Sequence, residues 1–465
     1  MEVLSFCLKQ SGRIERQPED DEAVTKIVNQ VAASLTRSSS EELSQETAPS
    51  VGALDILRIL VCDFAAVIDD ATLVIVTAYT DSHAAWSNEH MASNARAILD
   101  RALAQDRKRL FITSVVLDRY IRPVFSRESS SRITQTGRIA HYTNGTPHRG
   151  IQGGLAADTI RKPWKHERNH AVAVFTWAVG ESNESLIGKH WPLFTPVLLA
   201  LVEDTDSKFK AKGLKILNDF LSRCPASVLQ DTGLGEIFEQ LIFPLLLSLP
   251  RLTPENESLE LLEPAYDAAI GLAAAQFPDD RSRHQKNRFL TRLLRQGPIA
   301  GHYHASEYPK IMEILSRQAT LILQQLGTCA IPYLREMLPM LTAVLHDPFF
   351  ASCPTCIEAT SGALSAMLLN CWPVMSQPTH LAELLSAISV CWLNLGFEQG
   401  GVRENAASRK AVEAVADLVP LLTSIAASAE ISLQGQLSSL CAAEPRLVDL
   451  FRGPRADKHG LSWRA

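Results

Sequence analysis

The residues with the most chemical promise in this chain are His166-Glu167-Arg168-Asn169-His170, an HExxH pattern. On a helix that spacing puts two imidazoles on one face for a zinc ion, with the glutamate placed as general base for the metal-bound water. Its surroundings argue for a different reading. The two inner positions, Arg168 and Asn169, are poorly suited to the buried helix such a site needs, and no third ligand follows in a recognisable frame. Glu181 and Glu184 are the nearby acids, and Ala173 stands where the extended motif wants glycine. Strand pattern to build an edge for a peptide substrate is nearly absent. The expected reading is a solvent-facing helix start, with a zinc metallopeptidase kept as the enzyme alternative.

Other chemical signals are weaker. Cys353-Pro354-Thr355-Cys356 is a lone CxxC without a second close Cys or His pair, since His346 and His380 are unpatterned, so core or turn cysteines are expected. His302-Tyr303-His304 has no partner cluster and reads as a loop. Gly188-Lys189 resembles the end of a phosphate loop, but Asn183 replaces its first glycine and His190 the magnesium-binding hydroxyl. No GxSxG is present. No catalytic, cofactor-binding or metal-ligating residue is therefore assigned, and a protein without enzymatic activity or cofactor is expected.

Composition narrows the class further. A chain of 465 residues that is 46% hydrophobic and rich in Leu and Ala can bury a large helical core. A formal charge of -6 gives no general attraction to phosphate backbones. The one basic patch, 281–295, pairs an apolar face (Phe289, Leu290, Leu293, Leu294) with Arg281, Arg283, Lys286, Arg288, Arg292 and Arg295 on what reads as its solvated side. Nucleic acid is not an expected partner. Nine scattered cysteines read as reduced residues of an intracellular protein. The N-terminus lacks the pattern of a secretory signal, and the longest apolar stretch, 59–79, is broken by Asp63, Asp69 and Asp70. No membrane association is expected, and the location expected is the cytoplasm, with the nucleus also open.

Elements come next. Residues 189–225 read as a helical hairpin: Pro192 and Pro196 open a helix whose apolar face is Phe194, Val197, Leu198, Leu201 and Val202, and the 203–207 turn ends it. Asp206 should cap the second helix, lined by Leu214, Leu217 and Leu221 and stopped by Pro225. Such a hairpin cannot bury its apolar face alone, so stacked neighbours are expected. Further helices are expected over 236–249, 259–275, 288–295, 308–326, 329–347, 356–371, 381–395 and 411–427. The fold class expected is all-α, a HEAT-like helical-repeat solenoid. Its expected divisions are an N-terminal helical region at 1–131, a glycine-rich flexible loop at 132–162, the solenoid at 163–450 and a tail at 451–465. In the N-terminal region two helices are plausible over 52–79, where Val74-Ile75-Val76 alone argues for a strand.

Lys162-Pro163-Trp164-Lys165, the 190–221 hairpin, the 232–268 stretch from Thr232 to Ala268, and the 334–349 run followed by Cys371-Trp372-Pro373 together resemble the Tti-two family over about residues 163–373. That resemblance implies a non-catalytic α-solenoid subunit of the Tel-two/Tti-one/Tti-two co-chaperone complex. Such a subunit binds Tti-one and, through it, Tel-two, and supports maturation of phosphatidylinositol-3-kinase-related kinases with chaperone machinery. A transport or phosphatase-type helical scaffold with other cargo is the non-enzymatic alternative. The motif and partner-binding candidates are Lys162, Pro163, Trp164, Lys165, Trp191, Asp204, Asp206 and Trp372. For Trp164 two roles fit: a lid over Ala171, Val174 and Phe175, which is preferred, or an exposed anchor beside Lys162 and Lys165.

Overall fold

The structure is a computed structural model that describes residues 7, 20–38, 48–125, 162–165, 170–397 and 406–451; the segments 132–161 and 452–465, with most of the HExxH motif, lie outside them. Among the described residues all regular structure is helical and no strand occurs. In chain order the helices are α1 (Asp20–Ser38), α2 (Ala48–Cys62), α3 (Asp70–Thr77), α4 (Glu89–Ala102), α5 (Gln105–Leu110), a π-helical run Phe111–Ile121, and α6 (Arg122–Phe125). After a 3-10 turn at Pro163–Lys165 come α7 (His170–Glu181), α8 (Glu184–Val202), α9 (Ser207–Leu221), α10 (Ala226–Asp231) and α11 (Leu234–Ile242). Then follow a 3-10 turn Phe243–Leu247, α12 (Glu255–Gln276), α13 (Arg283–Leu294), a π-helical run Arg295–Ile299, α14 (Ala300–Ala305), α15 (Pro309–Leu326), α16 (Leu334–His346), α17 (Pro354–Met375), α18 (Pro378–Phe397), α19 (Ala406–Ala416), α20 (Leu418–Ser428), α21 (Gln434–Ala443) and α22 (Val448–Phe451). The fold is all-α, of the helical-repeat solenoid class.

Local chemistry explains many of these boundaries. Asp69, Asn88, Asn183 and Asp206 each accept from an amide in the first turn of the helix they precede, Thr72, Met91, Leu186 and Lys208 respectively. Val74-Ile75-Val76 lies in α3, because the Asp69 cap starts a helix there and Leu73, Val74 and Val76 are buried by it. Pro192 does not open a helix. It sits inside α8, and His190, at φ -119° and ψ 15°, marks a kink ahead of it. α17 repeats the feature: Cys371 leaves helical geometry at φ -117° and ψ 16°, two residues before Pro373. In both places the sequence is X-Trp-Pro, and the proline removes a donor and crowds the carbonyl four residues back. Pro244 has a related effect, turning the expected 236–249 helix into α11 plus a 3-10 turn. The helix expected over 411–427 is likewise two, separated at Asp417.

The chain divides into two compact units, 1–205 with 212–237, and 206–211 with 238–465. In the first, α2 packs on α1 and α4, α3 on α4 and α7, and the 111–121 run on both α7 and α8. The N-terminal helices thus share a core with the hairpin region; a Lys108–Glu181 ion pair and the 3.9 Å Lys212–Asp81 pair lie at its surface. Within the hairpin, Gly213 lets α9 approach α8 closely, since a Cβ there would stand 2.8 Å from Leu201 Cβ and 3.0 Å from its carbonyl carbon. In the second unit α15 and α17 form the central seam, with Ser316 Oγ and Thr360 Oγ1 3.1 Å apart inside it; α19 and α20 pack on α17, and α16 on α18.

Among the described residues two helical stretches, Glu184–Val202 and Ala406–Ser428, are long and apolar enough to cross a membrane by length and composition, though each includes charged residues. The first is kinked at His190 and carries Lys189, while the second breaks at Asp417. Their apolar side chains, such as Leu198, Leu201, Leu418 and Leu422, are buried against other helices.

Candidate functional site

Five of the eight candidate residues meet in the first unit. Pro163–Lys165 forms a single 3-10 turn that aims the Lys162 and Lys165 side chains the same way, with the Lys165 amide donating to the Lys162 carbonyl at 3.0 Å. Both ammonium groups converge on Asp204, just past the end of α8: Lys162 Nζ lies 2.8 Å from Oδ2 and Lys165 Nζ 2.6 Å from Oδ1. The Asp204 side chain is fully buried. Trp164 sits beneath, with no exposed surface; its indole stacks on Phe125 at 5.3 Å between centroids and 16° between planes. The two ammonium groups stand 5.9 and 5.5 Å from the indole centroid, within cation–π range. A carboxylate with no exposed surface and a lysine on each oxygen is out of reach of a substrate. The cluster is a lock that fixes the chain entering α7 to the α8–α9 turn.

The other candidates have separate places. Asp206 caps α9 through Lys208, half-buried Trp191 follows the α8 kink, and Trp372, half exposed, lies at the α17 kink in the second unit. The 3-10 turn packs on both α6 and α7. Phe125, the stacking partner of Trp164, gave no signal in the sequence, because nothing local links a helix end to a tryptophan 39 positions later.

The HExxH reading is corrected at its one described member. His170 is not solvent-facing: its ring is buried, stacks on Trp86 at 4.4 Å and meets Tyr79 edge-on at 5.9 Å. Burial lowers its pKa to about 4, so the ring is neutral at physiological pH, and its Nδ1 has no hydrogen-bond partner among the described residues. No group of three or more His, Cys, Asp or Glu poised to hold a metal occurs among the described residues. The CxxC residues are helix-start positions: Cys353 precedes α17, and Cys356 is buried, its thiol pushed up by desolvation. Cys224 and Cys391, also buried, are raised to about 12. His302-Tyr303-His304 is not a loop but half of α14, and Tyr303 is among the most exposed large side chains.

The Tti2 family model matches residues 72–352, more than half of the chain. This chain belongs to the Tti2 family. In this Tti2-family chain the match spans the lysine–Asp204 lock, the α8–α9 hairpin and the second unit as far as the turn before α17, and leaves Trp372 outside it. Among solved structures, the crystal structure of an engineered protein is 12% identical at a TM-score of 0.31, covering 98% of this chain and 100% of that one.

Proposed function

We propose that this chain is a non-catalytic scaffold subunit of the Tel-two/Tti-one/Tti-two co-chaperone complex. It binds Tti-one, reaches Tel-two through that subunit, and supports the maturation and stability of phosphatidylinositol-3-kinase-related kinases in the cytoplasm and nucleus. The observation that carries this reading is the family match over 72–352, laid on a molecule whose described residues are stacked helical hairpins. The environments of the chemical candidates support a scaffold. Asp204 is neutralised by two lysines, His170 is sealed among aromatic rings, and the buried cysteines are held as thiols.

Affinity purification of the tagged full chain from its native cells, followed by mass spectrometry, tests the proposal. A larger helical-repeat chain of the Tti-one type should co-purify in near-equal amount, and depleting this protein should lower the steady-state level of the kinases. Recovery of the chain alone, or with a nuclear-transport or phosphatase partner instead, would overturn it.

A further inference from the structure

The second unit carries a groove of about 910 Å3 between the 243–247 turn and the α13–α14 junction. Its apolar floor is Phe243, Pro244, Leu247 and Ile299, and exposed Tyr303 stands at its edge. Three arginines of α13 and the π-helical run, Arg288, Arg292 and Arg295, line the same groove. Arg292 is already committed: it pairs with Glu239, its Nε donates to Gln296 Oε1 at 3.2 Å, and its guanidinium lies 4.2 Å over the Phe243 ring. Phe243 is braced edge-on by Phe289 at 5.4 Å. Arg288 and Arg295 are exposed and have no carboxylate partner among the described residues. The groove therefore has a rigid Arg–Phe wall flanked by two available guanidinium forks.

Backbone geometry points to the same place. The helix widens into a π-turn over Arg295–Ile299, where Pro298 sits inside it and Gly297 leaves room for Tyr266; a Cβ on Gly297 would stand 2.8 Å from the tyrosine hydroxyl. Such π-bulges cost stability and occur often at functional sites. This one carries Arg295 and Ile299 to the groove lining.

We propose that this groove binds an extended acidic segment of a partner protein, with an apolar side chain seated on Phe243, Pro244 and Leu247 beside Tyr303 and carboxylates on Arg288 and Arg295. Charge complementarity selects the occupant. Planar guanidinium forks match carboxylates bidentately, and Arg, Tyr and Phe are the residue types enriched in interface centres. A nucleic-acid strand fits less well: it needs a continuous basic track with several stacking rings, whereas here Glu239 and Glu336 interrupt the charge, Tyr303 is the one exposed ring, and the whole chain is at -6. The proposal stands apart from the identity of the co-chaperone partners.

Fluorescence anisotropy on the full chain tests it with a fluorescein-labelled synthetic peptide of glutamates interspersed with leucine and phenylalanine. Comparison probes are a lysine-for-glutamate version, an all-glutamate peptide and a labelled single-stranded oligonucleotide. The acidic–apolar peptide should bind saturably, more weakly as salt rises, and more tightly than every comparison probe. Arg288→Glu with Arg295→Glu, and separately Tyr303→Ala, should each weaken it about tenfold or more. All three side chains are exposed, so circular dichroism and melting should match the parent; should the charge reversal disturb folding, Arg288→Gln with Arg295→Gln gives the same readout. Absence of peptide binding, binding unchanged in the variants, equal binding of the all-glutamate peptide, or tighter binding of the oligonucleotide would each overturn the proposal.

Discussion

Asp204 shows how a charge survives where water does not reach. Its carboxylate has no exposed surface, so its ionised form rests on Lys162 and Lys165. Removing one member of a buried ion cluster leaves the others desolvated and unpaired, which costs about 3–5 kcal/mol. Asp204→Ala should lower the urea midpoint by a corresponding amount, and replacing Asp204, Lys162 and Lys165 together with Leu, Met and Met should recover most of the loss. If the single variant unfolds like the parent, the cluster is not buried as described. Trp164→Ala, which empties the space against Phe125, should cost about 3–5 kcal/mol in the same assay; an unchanged melting temperature would return the tryptophan to the role of exposed anchor. His170 brings a pH dependence. Its pKa is lowered by burial to about 4 against an ordinary 6.5, so the unfolded chain binds the extra proton first as pH falls. Its neutral state stabilises the fold fully above about pH 6.5, and that contribution, about 3 kcal/mol, is lost progressively between pH 6.5 and 4. Thermal melts of His170→Phe should fall less steeply than the parent over that window; parallel curves would show that His170 is not the titrating group. At this scale the sequence singled out Lys162, Trp164, Lys165 and Asp204 but not their pairing. The Lys162–Asp204 contact spans 42 positions, and no local pattern announces it.

At the scale of elements the periodicity of Leu and Val was a dependable guide, and proline was not. The apolar face of α9, its Asp206 cap and the span of α15 follow directly from spacing. Pro192 and Pro373 sit inside helices, where they were expected to open or end them, and Pro264 and Pro298 are likewise accommodated within helical runs. Packing on both sides of these helices outweighs the loss of one backbone hydrogen bond, so the chain bends or widens instead of stopping. The same X-Trp-Pro sequence stands at both kinks, at His190 and Cys371, where a helix start and a helix end were expected. Gly213 was silent in the sequence, because a glycine inside a helix reads as a weak position until the neighbouring helix is seen to touch it. Gly213→Ala adds helix propensity worth up to about 1 kcal/mol but drives a methyl into Leu201 and the α8 backbone, an overpacking cost of about 1–3 kcal/mol. The variant should be less stable than the parent by calorimetry; a higher melting temperature would mean that α8 and α9 can separate freely.

For the whole molecule, the all-α class and the family were legible because both rest on patterns spread along the chain, which survive local misreadings. The division into compact units was not, since it falls within 206–238, inside well-formed helices and with no linker composition to mark it. The basic run at 281–295 was read correctly as amphipathic, yet the groove beside it depends on Phe243 and Tyr303, which join Arg292 only in three dimensions. The lysine–carboxylate lock also has a chemical corollary. An acylating reagent or a modifying enzyme must reach the amine, and the Lys162 and Lys165 nitrogens lie against the buried Asp204 carboxylate, their side chains 18% and 15% exposed. While the chain is folded these two amines are the slow ones, and they react only as fast as the segment lifts away from α8. Their acylation rate, read by mass spectrometry beside that of an exposed lysine, is thus a clock for local opening, and any acetyl or ubiquityl mark found on them would date from a moment when the lock was undone.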